Sequence, residues 1–163
     1  MSRFLYYNNF GGGGNVAQTD PQTALDYYRF LSGYWKDGAQ MVYGGNGHPS
    51  NPNANPTVAA KYMFPDDTDP VGWGTSGTHQ PEWTEQSAGN PPFDRRFATS
   101  SGPFVLKPGA VNNITYGIVW ARATSGDPFE SVIALQKADD KAQALFDNCF
   151  KVLDGPHAPL LSL

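Results

Sequence analysis

The chain has a single cysteine, Cys149, among 163 residues, so no internal disulfide is possible. Low cysteine usage fits a reducing cytosol and also the disulfide-free proteins that many bacteria export. Charge is sparse as well: 11 Lys and Arg stand against 15 Asp and Glu, for a formal net charge of −4. No basic stripe exists, which argues against nucleic acid as a partner. No run of 18 apolar residues is present, so no membrane-spanning helix is expected. The stretch from Met1 to Phe10 has one Arg and no long apolar core, so it does not read as a secretory signal. Turn formers are plentiful instead, with 18 Gly and 14 Pro, so much of the chain should be loop. Asn, Ser, Thr and aromatics take the place of Lys and Glu, a surface chemistry that leans towards an exoprotein. The length suits one domain able to bury a core.

Arg3 to Asn8 is aromatic-rich and reads as a short strand. Asp20-Pro21 is a helix start, with Asp able to cap free N–H groups and Pro suited to the first helical position. Ala24, Leu25, Tyr28, Leu31 and Trp35 follow at helical spacing, and Gly33 or Gly38 is placed to end the helix. Gln40 to Tyr43 and Val58 to Phe64 are further strand candidates. Two long loops, Gly44 to Pro56 and Pro65 to Pro92, lie around them, and loops of that length in one domain usually serve a function or pack against something. Arg96 to Thr99, Phe104 to Leu106 and Asn113 to Arg122 read as strands, with Lys107-Pro108-Gly109 as a turn. Asp127-Pro128 opens a second helix, with Glu130 placed for a capping box. Val132, Leu135, Ala138, Ala142, Leu145, Phe146 and Cys149 form its apolar stripe. Ile118, Trp120, Val132, Leu135 and Phe146 are the expected core of this C-terminal block.

Catalytic signals are weak. Gly11 to Gly14 lacks the Gly-Lys-Ser/Thr of a phosphate loop and reads as a flexible linker. His48, His79 and His157 are far apart in Pro- and Gly-rich sequence, so exposed loop histidines are expected rather than zinc ligands. Asp66, Asp67 and Asp69 cluster oxygens of the kind calcium takes, although without the spacing of the helix–loop–helix calcium motif. A solvated acidic turn is the favoured reading and no cofactor is expected; calcium, held by those three residues, is the alternative. Glu82, Glu85 and Asp94 would be the carboxylates of a glycan hydrolase, if two of them faced one sugar bond. Tyr43, Trp73 and Trp83 are the candidate ligand-binding residues, because loop aromatics can stack on sugars. Packing is the expected role for Trp35 and Trp120, which lie in periodic segments, and anchoring of the loops is also the favoured role for Trp73 and Trp83, although their loop positions leave them more open. Asn113-Ile114-Thr115 matches a glycosylation acceptor but lies in a predicted strand.

Three segments carry a resemblance. They are Met1 to Asn9; Asp26 to Gly38 together with Tyr43-Gly-Gly-Asn-Gly47; and Asp94 to Phe150, through Ser-Gly-Pro-Phe, Lys-Pro-Gly, Gly-Ile-Val-Trp-Ala-Arg and Ala-Asp-Asp-Lys-Ala-Gln-Ala-Leu-Phe-Asp. In these the chain resembles the central part of large secreted proteins of Bacteroidetes exported by the type IX secretion system. The resemblance implies a fragment of a longer protein at the cell surface or outside the cell, with β-rich sequence upstream. It carries over no activity and no calcium role.

The combined expectation is a β-rich α+β domain spanning residues 1–163. An antiparallel sheet or partial β-sandwich is flanked by two helices and long loops. The expected role is a non-catalytic structural or interaction module that meets other segments of its parent protein or cell-surface partners. A carbohydrate-binding module is the alternative, with a glycan hydrolase behind it. Strands left without neighbours should pair with other copies or with missing segments.

Overall fold

The aromatic-rich stretch Arg-Phe-Leu-Tyr-Tyr-Asn builds the first strand, β1, at Arg3–Asn8, as its sequence predicts. In this computed structural model residues 1–9 and 14–151 are described. The reading of Gly11 to Gly13 as linker and of His157 as a loop residue falls outside them. Contacts divide the chain into two compact units, Met1–Val105 and Leu106–Leu163. The architecture is α+β, with two small antiparallel sheets.

In the first unit β1 pairs antiparallel with β4 (Arg95–Ser100), in a register running from Arg3 opposite Ser100 to Asn8 opposite Arg95. On its other side β1 makes isolated parallel bridges, Phe4 to Tyr62 and Asn8 to Thr19. Helix α1 spans Ala24–Ser32. It starts later than Asp20-Pro21 suggests because Thr23 and Asp26 form a reciprocal capping box. The Thr23 hydroxyl accepts the Asp26 N–H at 3.2 Å, and the Asp26 carboxylate accepts the N–H groups of Gln22 and Thr23 at 3.0 Å each. Gly33 ends the helix with φ of 81°, a left-handed position that favours glycine. Leu25, Tyr28 and Leu31 face solvent, while Phe30 is buried and its ring meets Tyr7 and Trp35.

The second sheet joins β2 (Val42–Gly44) to β3 (Ala54–Ala59), with a register shift between Val42 and Tyr43. Strand β3 therefore starts before Val58, and residues beyond Ala59 leave the ladder. The short helix α2, Glu85–Ala88, sits in the second long loop, capped by Thr84 and Ser87. Leu5, Phe30, Trp35 and Met41 are fully buried, with Tyr43, Met63 and Trp83 in the same cluster.

The second unit corrects the C-terminal expectation. Helix α3 forms at Pro128–Asp147, with Pro in its first turn and the Asp127 carboxylate accepting the Phe129 N–H at 2.8 Å. No strand forms over Phe104 to Leu106 or Asn113 to Arg122. The predicted core residues are exposed: Ile118 by 86 %, Trp120 by 80 %, Phe146 by 50 %, with Val132 and Leu135 close to two-fifths. A strand is stable only when a neighbour takes its N–H and C=O groups. No backbone group of residues 111–122 bonds to the backbone of another described residue. The sequence pattern of a strand is present there, and among the described residues no neighbour pairs with it.

Candidate functional site

Trp73 is the one predicted ligand-binding residue that the fold turns outwards, at 67 % exposure. It stands on a braced turn. The buried Asp69 carboxylate accepts the N–H groups of Trp73 at 2.7 Å and Gly74 at 2.8 Å. Gly72 takes φ of 70°, and a Cβ there would run into the carbonyl of Thr78. A Cβ on Gly74 would come within 2.9 Å of the Tyr62 ring. The Thr75 hydroxyl donates to the Thr78 carbonyl at 2.6 Å, and the Gly77 N–H to the Gly72 carbonyl at 2.7 Å. Lys61 N–H to Gly74 O at 2.9 Å fastens the turn to the rest of the unit. Beside Trp73 lies a groove of about 400 Å³ whose lining includes Phe4, Tyr62, Phe64, Pro65 and Asp69. The turn fixes the backbone of Trp73 and so presents its exposed ring beside the groove, where a flat apolar ring face can meet it.

Tyr43 and Trp83 have a different role. Trp83 is 2 % exposed, its ring lies against Tyr43 at 4.7 Å and Phe64 at 5.1 Å, and its indole N–H donates to Gly45 O at 3.0 Å. The Tyr43 hydroxyl donates to Pro81 O at 2.6 Å. Burial first, then the charges of Asp66 and Asp69, raise the Tyr43 phenol above its ordinary pKa. The two rings close the second long loop onto β2, and no open ring face remains on Trp83 for a sugar.

The acidic cluster is split. Asp66 is half-buried, Asp67 is exposed, and both oxygens of Asp69 already hold backbone N–H groups. Among the described residues no three His, Cys, Asp or Glu side chains gather in a way that could hold a metal ion. The three carboxylates named for glycan hydrolysis are also separated. Glu85 is ion-paired with Arg95; Asp94 accepts from Asn9 Nδ2 at 3.1 Å and lies 3.6 Å from Arg96; Glu82 lines a different groove with Tyr43 and Pro81. Arg95 stands 4.3 Å over the Tyr6 ring and donates to Asn8 Oδ1 at 2.7 Å, which ties α2 to the β1–β4 sheet. Burial, followed by the Glu85 charge, drives the Tyr6 phenol far above its ordinary pKa.

His48 departs from the expectation of an exposed loop histidine; His79 does not. His48 is buried, with its ring 6.4 Å from Trp35. Its Nδ1 accepts the Ser50 N–H at 3.1 Å, so the ring proton lies on Nε2, which donates to Asp37 Oδ2 at 3.0 Å. The Ser50 hydroxyl is also 2.7 Å from Nδ1. Ser, His and Asp are the residue types of a hydrolytic triad, but here the Nδ1 lone pair is taken by the serine's own N–H, two residues along a tight turn. The arrangement fixes the turn. The sequence cue was local: Asn46, whose side chain accepts the His48 N–H at 3.1 Å, and Pro49 mark a turn that folds the ring inwards.

In the second unit the side chains of Val111, Tyr116, Ile118 and Trp120 are each 80–90 % exposed. Such a run of large apolar groups marks a contact surface on a folded protein. No protein-family model, no curated protein and no solved structure matches this chain. No helix of the described residues is long and apolar enough to cross a membrane.

Proposed function

We propose that the chain is a non-catalytic structural and interaction module of a secreted or cell-surface bacterial protein. The model for that parent is the type IX-exported Bacteroidetes group that it resembles. One observation carries the reading: residues 111–122 combine strand-like apolar alternation, high exposure and a backbone without partners in the described chain. Exposed apolar side chains are unfavourable in water, and a polypeptide that covers this stretch as a neighbouring strand buries them while pairing the peptide groups that lose their water. The proposed partners are other segments of the parent protein or a cell-surface protein, completing a partial β-sandwich.

Amide hydrogen exchange on the purified chain, read with binding of an apolar dye, tests this. Residues 111–122 should exchange within seconds while β1 is protected. Dye fluorescence should fall when Ile118 and Trp120 are both changed to Asp. Slow exchange across 111–122, with no dye bound, contradicts the reading.

Trp73 supports a second reading, a carbohydrate-binding module. The turn braced by Asp69 and the groove beside it favour stacking on the C–H face of a pyranose. A glycan array should show binding that disappears in Trp73→Ala, and an empty array removes this reading.

A further inference from the structure

We infer that a cavity of the first unit, between residues 14–18, the turn at Asn46 and residues 90–95, binds a single uncharged pyranose. It lies outside both readings above and shares no lining residue with the Trp73 groove. Its volume is about 130 Å³, well below the roughly 300 Å³ at which sites for drug-sized ligands begin, so it suits one small ring and not a polymer lying across it. Gln18 carries the inference. It lines the cavity and is 6 % exposed. Its Nε2 donates to the Asn46 carbonyl at 2.6 Å, which settles the two ends of the amide, and its Oε1 takes no hydrogen bond from a described residue. A buried acceptor left without a donor is unfavourable, so a ligand that brings a donor to Gln18 gains affinity there.

Asn8, Asn15, Asn46 and Asn90 line the same cavity, all half-buried and each oriented by a bond at one end. Asn8 Oδ1 accepts from Arg95 at 2.7 Å, Asn15 Oδ1 from the Ala17 N–H at 2.9 Å, and Asn46 Oδ1 from the His48 N–H at 3.1 Å, so their Nδ2 groups stay available as donors. Asn90 Nδ2 donates to Gly45 O at 3.4 Å, so its Oδ1 joins Gln18 Oε1 as an acceptor. Neutral donors and acceptors held side by side match groups that both donate and accept, as sugar hydroxyls do. A pyranose brings several of them around one ring, where a lone amide brings one donor and one acceptor group. Charge excludes the rivals. No carboxylate is among the described lining residues, so an ammonium finds no counter-ion. Arg95, the lining cation, is already held by Glu85, Asn8 and the Pro91 carbonyl, which leaves an anion little to gain. An apolar ligand would strip water from the carboxamides. Tyr6, Pro91 and Phe93 supply apolar surface for the ring carbons.

Proton–nitrogen correlation NMR on the whole chain tests this, with sugars titrated into the millimolar range. The probes are glucose, galactose, mannose and N-acetylglucosamine, with glucuronate and glucosamine as charged counterparts. At least one neutral sugar should move the side-chain amide signals of Asn15, Gln18 and Asn90 saturably, and bind about tenfold tighter than either charged sugar. Gln18→Met and Asn90→Ala should each weaken it about threefold to tenfold, the size of one hydrogen bond. Asn90 makes only the 3.4 Å contact, so its variant decides the matter even where Gln18→Met does not fold. Trp73→Ala should leave the affinity unchanged. No saturable shift with any neutral sugar, charged sugars bound equally well, or full affinity in Asn90→Ala each overturn the inference. Binding lost in Trp73→Ala but kept in Asn90→Ala moves the sugar to the Trp73 groove, which overturns this inference and keeps the carbohydrate reading.

Discussion

Trp73 and Trp83 are ten positions apart, in loop sequence of the same kind, yet they do opposite things. Trp83 fills the core and satisfies Gly45; Trp73 points into water. Trp83→Ala should cost about 3–5 kcal/mol in urea denaturation, whereas Trp73→Ala should change stability by less than about 0.5 kcal/mol. Asp69 is the residue on which the Trp73 platform depends. Asp69→Ala leaves two backbone N–H groups without acceptors and should cost about 3 kcal/mol. At Asp37, burial pushes the carboxyl up, but the Ala39 N–H and His48 outweigh it and hold its pKa below the ordinary carboxylate value. A carboxylate depressed in the folded state stabilises above its unfolded pKa of about 3.9, and that stabilisation is lost as pH falls through the lower folded value. Asp37→Asn should therefore be less stable than the parent at neutral pH. The gap should start to narrow near the unfolded pKa and close only as pH falls through the lower folded value, followed by tryptophan fluorescence across a pH series.

At the scale of elements, local signals were readable where a few neighbouring residues decide the outcome. The β1 pattern, the Gly33 stop and the Asp127-Pro128 start of α3 are all settled within one or two turns of chain. Thr23 belongs to that group in hindsight, since its capping box sets where α1 begins. Thr23→Ala should cost about 1 kcal/mol and shorten α1, seen as lower helicity in circular dichroism. Illegible were the features set by distant partners. Trp35 and Trp120 both lie in periodic sequence, but only Trp35 has Phe30, His48 and Gly47 around it. The burial of His48 depends on Asp37, eleven residues away. The strand signal from Asn113 to Arg122 is a true property of the sequence that none of the described residues satisfies by pairing with it. Of the candidate site, Trp73 was legible as an open loop aromatic. Loop anchoring, the favoured reading for both tryptophans, holds for Trp83, while the internal roles of Tyr43 and Asp69 were not legible, because each depends on a backbone group that composition does not reveal.

At the scale of the whole molecule, the first unit is tied together by β1. That strand takes partners from residues as far apart as Thr19, Tyr62 and Ser100. Arg3 meets Ser100, so nearly the whole unit lies between two paired residues. During synthesis β1 leaves the ribosome well before β4 exists. At roughly 5–20 residues per second the delay is several seconds or more. Through that interval Phe4, Tyr6 and Tyr7 lack their β4 neighbours and have only the segments around Thr19 and Tyr62 to meet, a hazard for misassembly. The late strand thus supplies the neighbours the early one waits for, and a pairing of that sequence separation is the kind that slows folding.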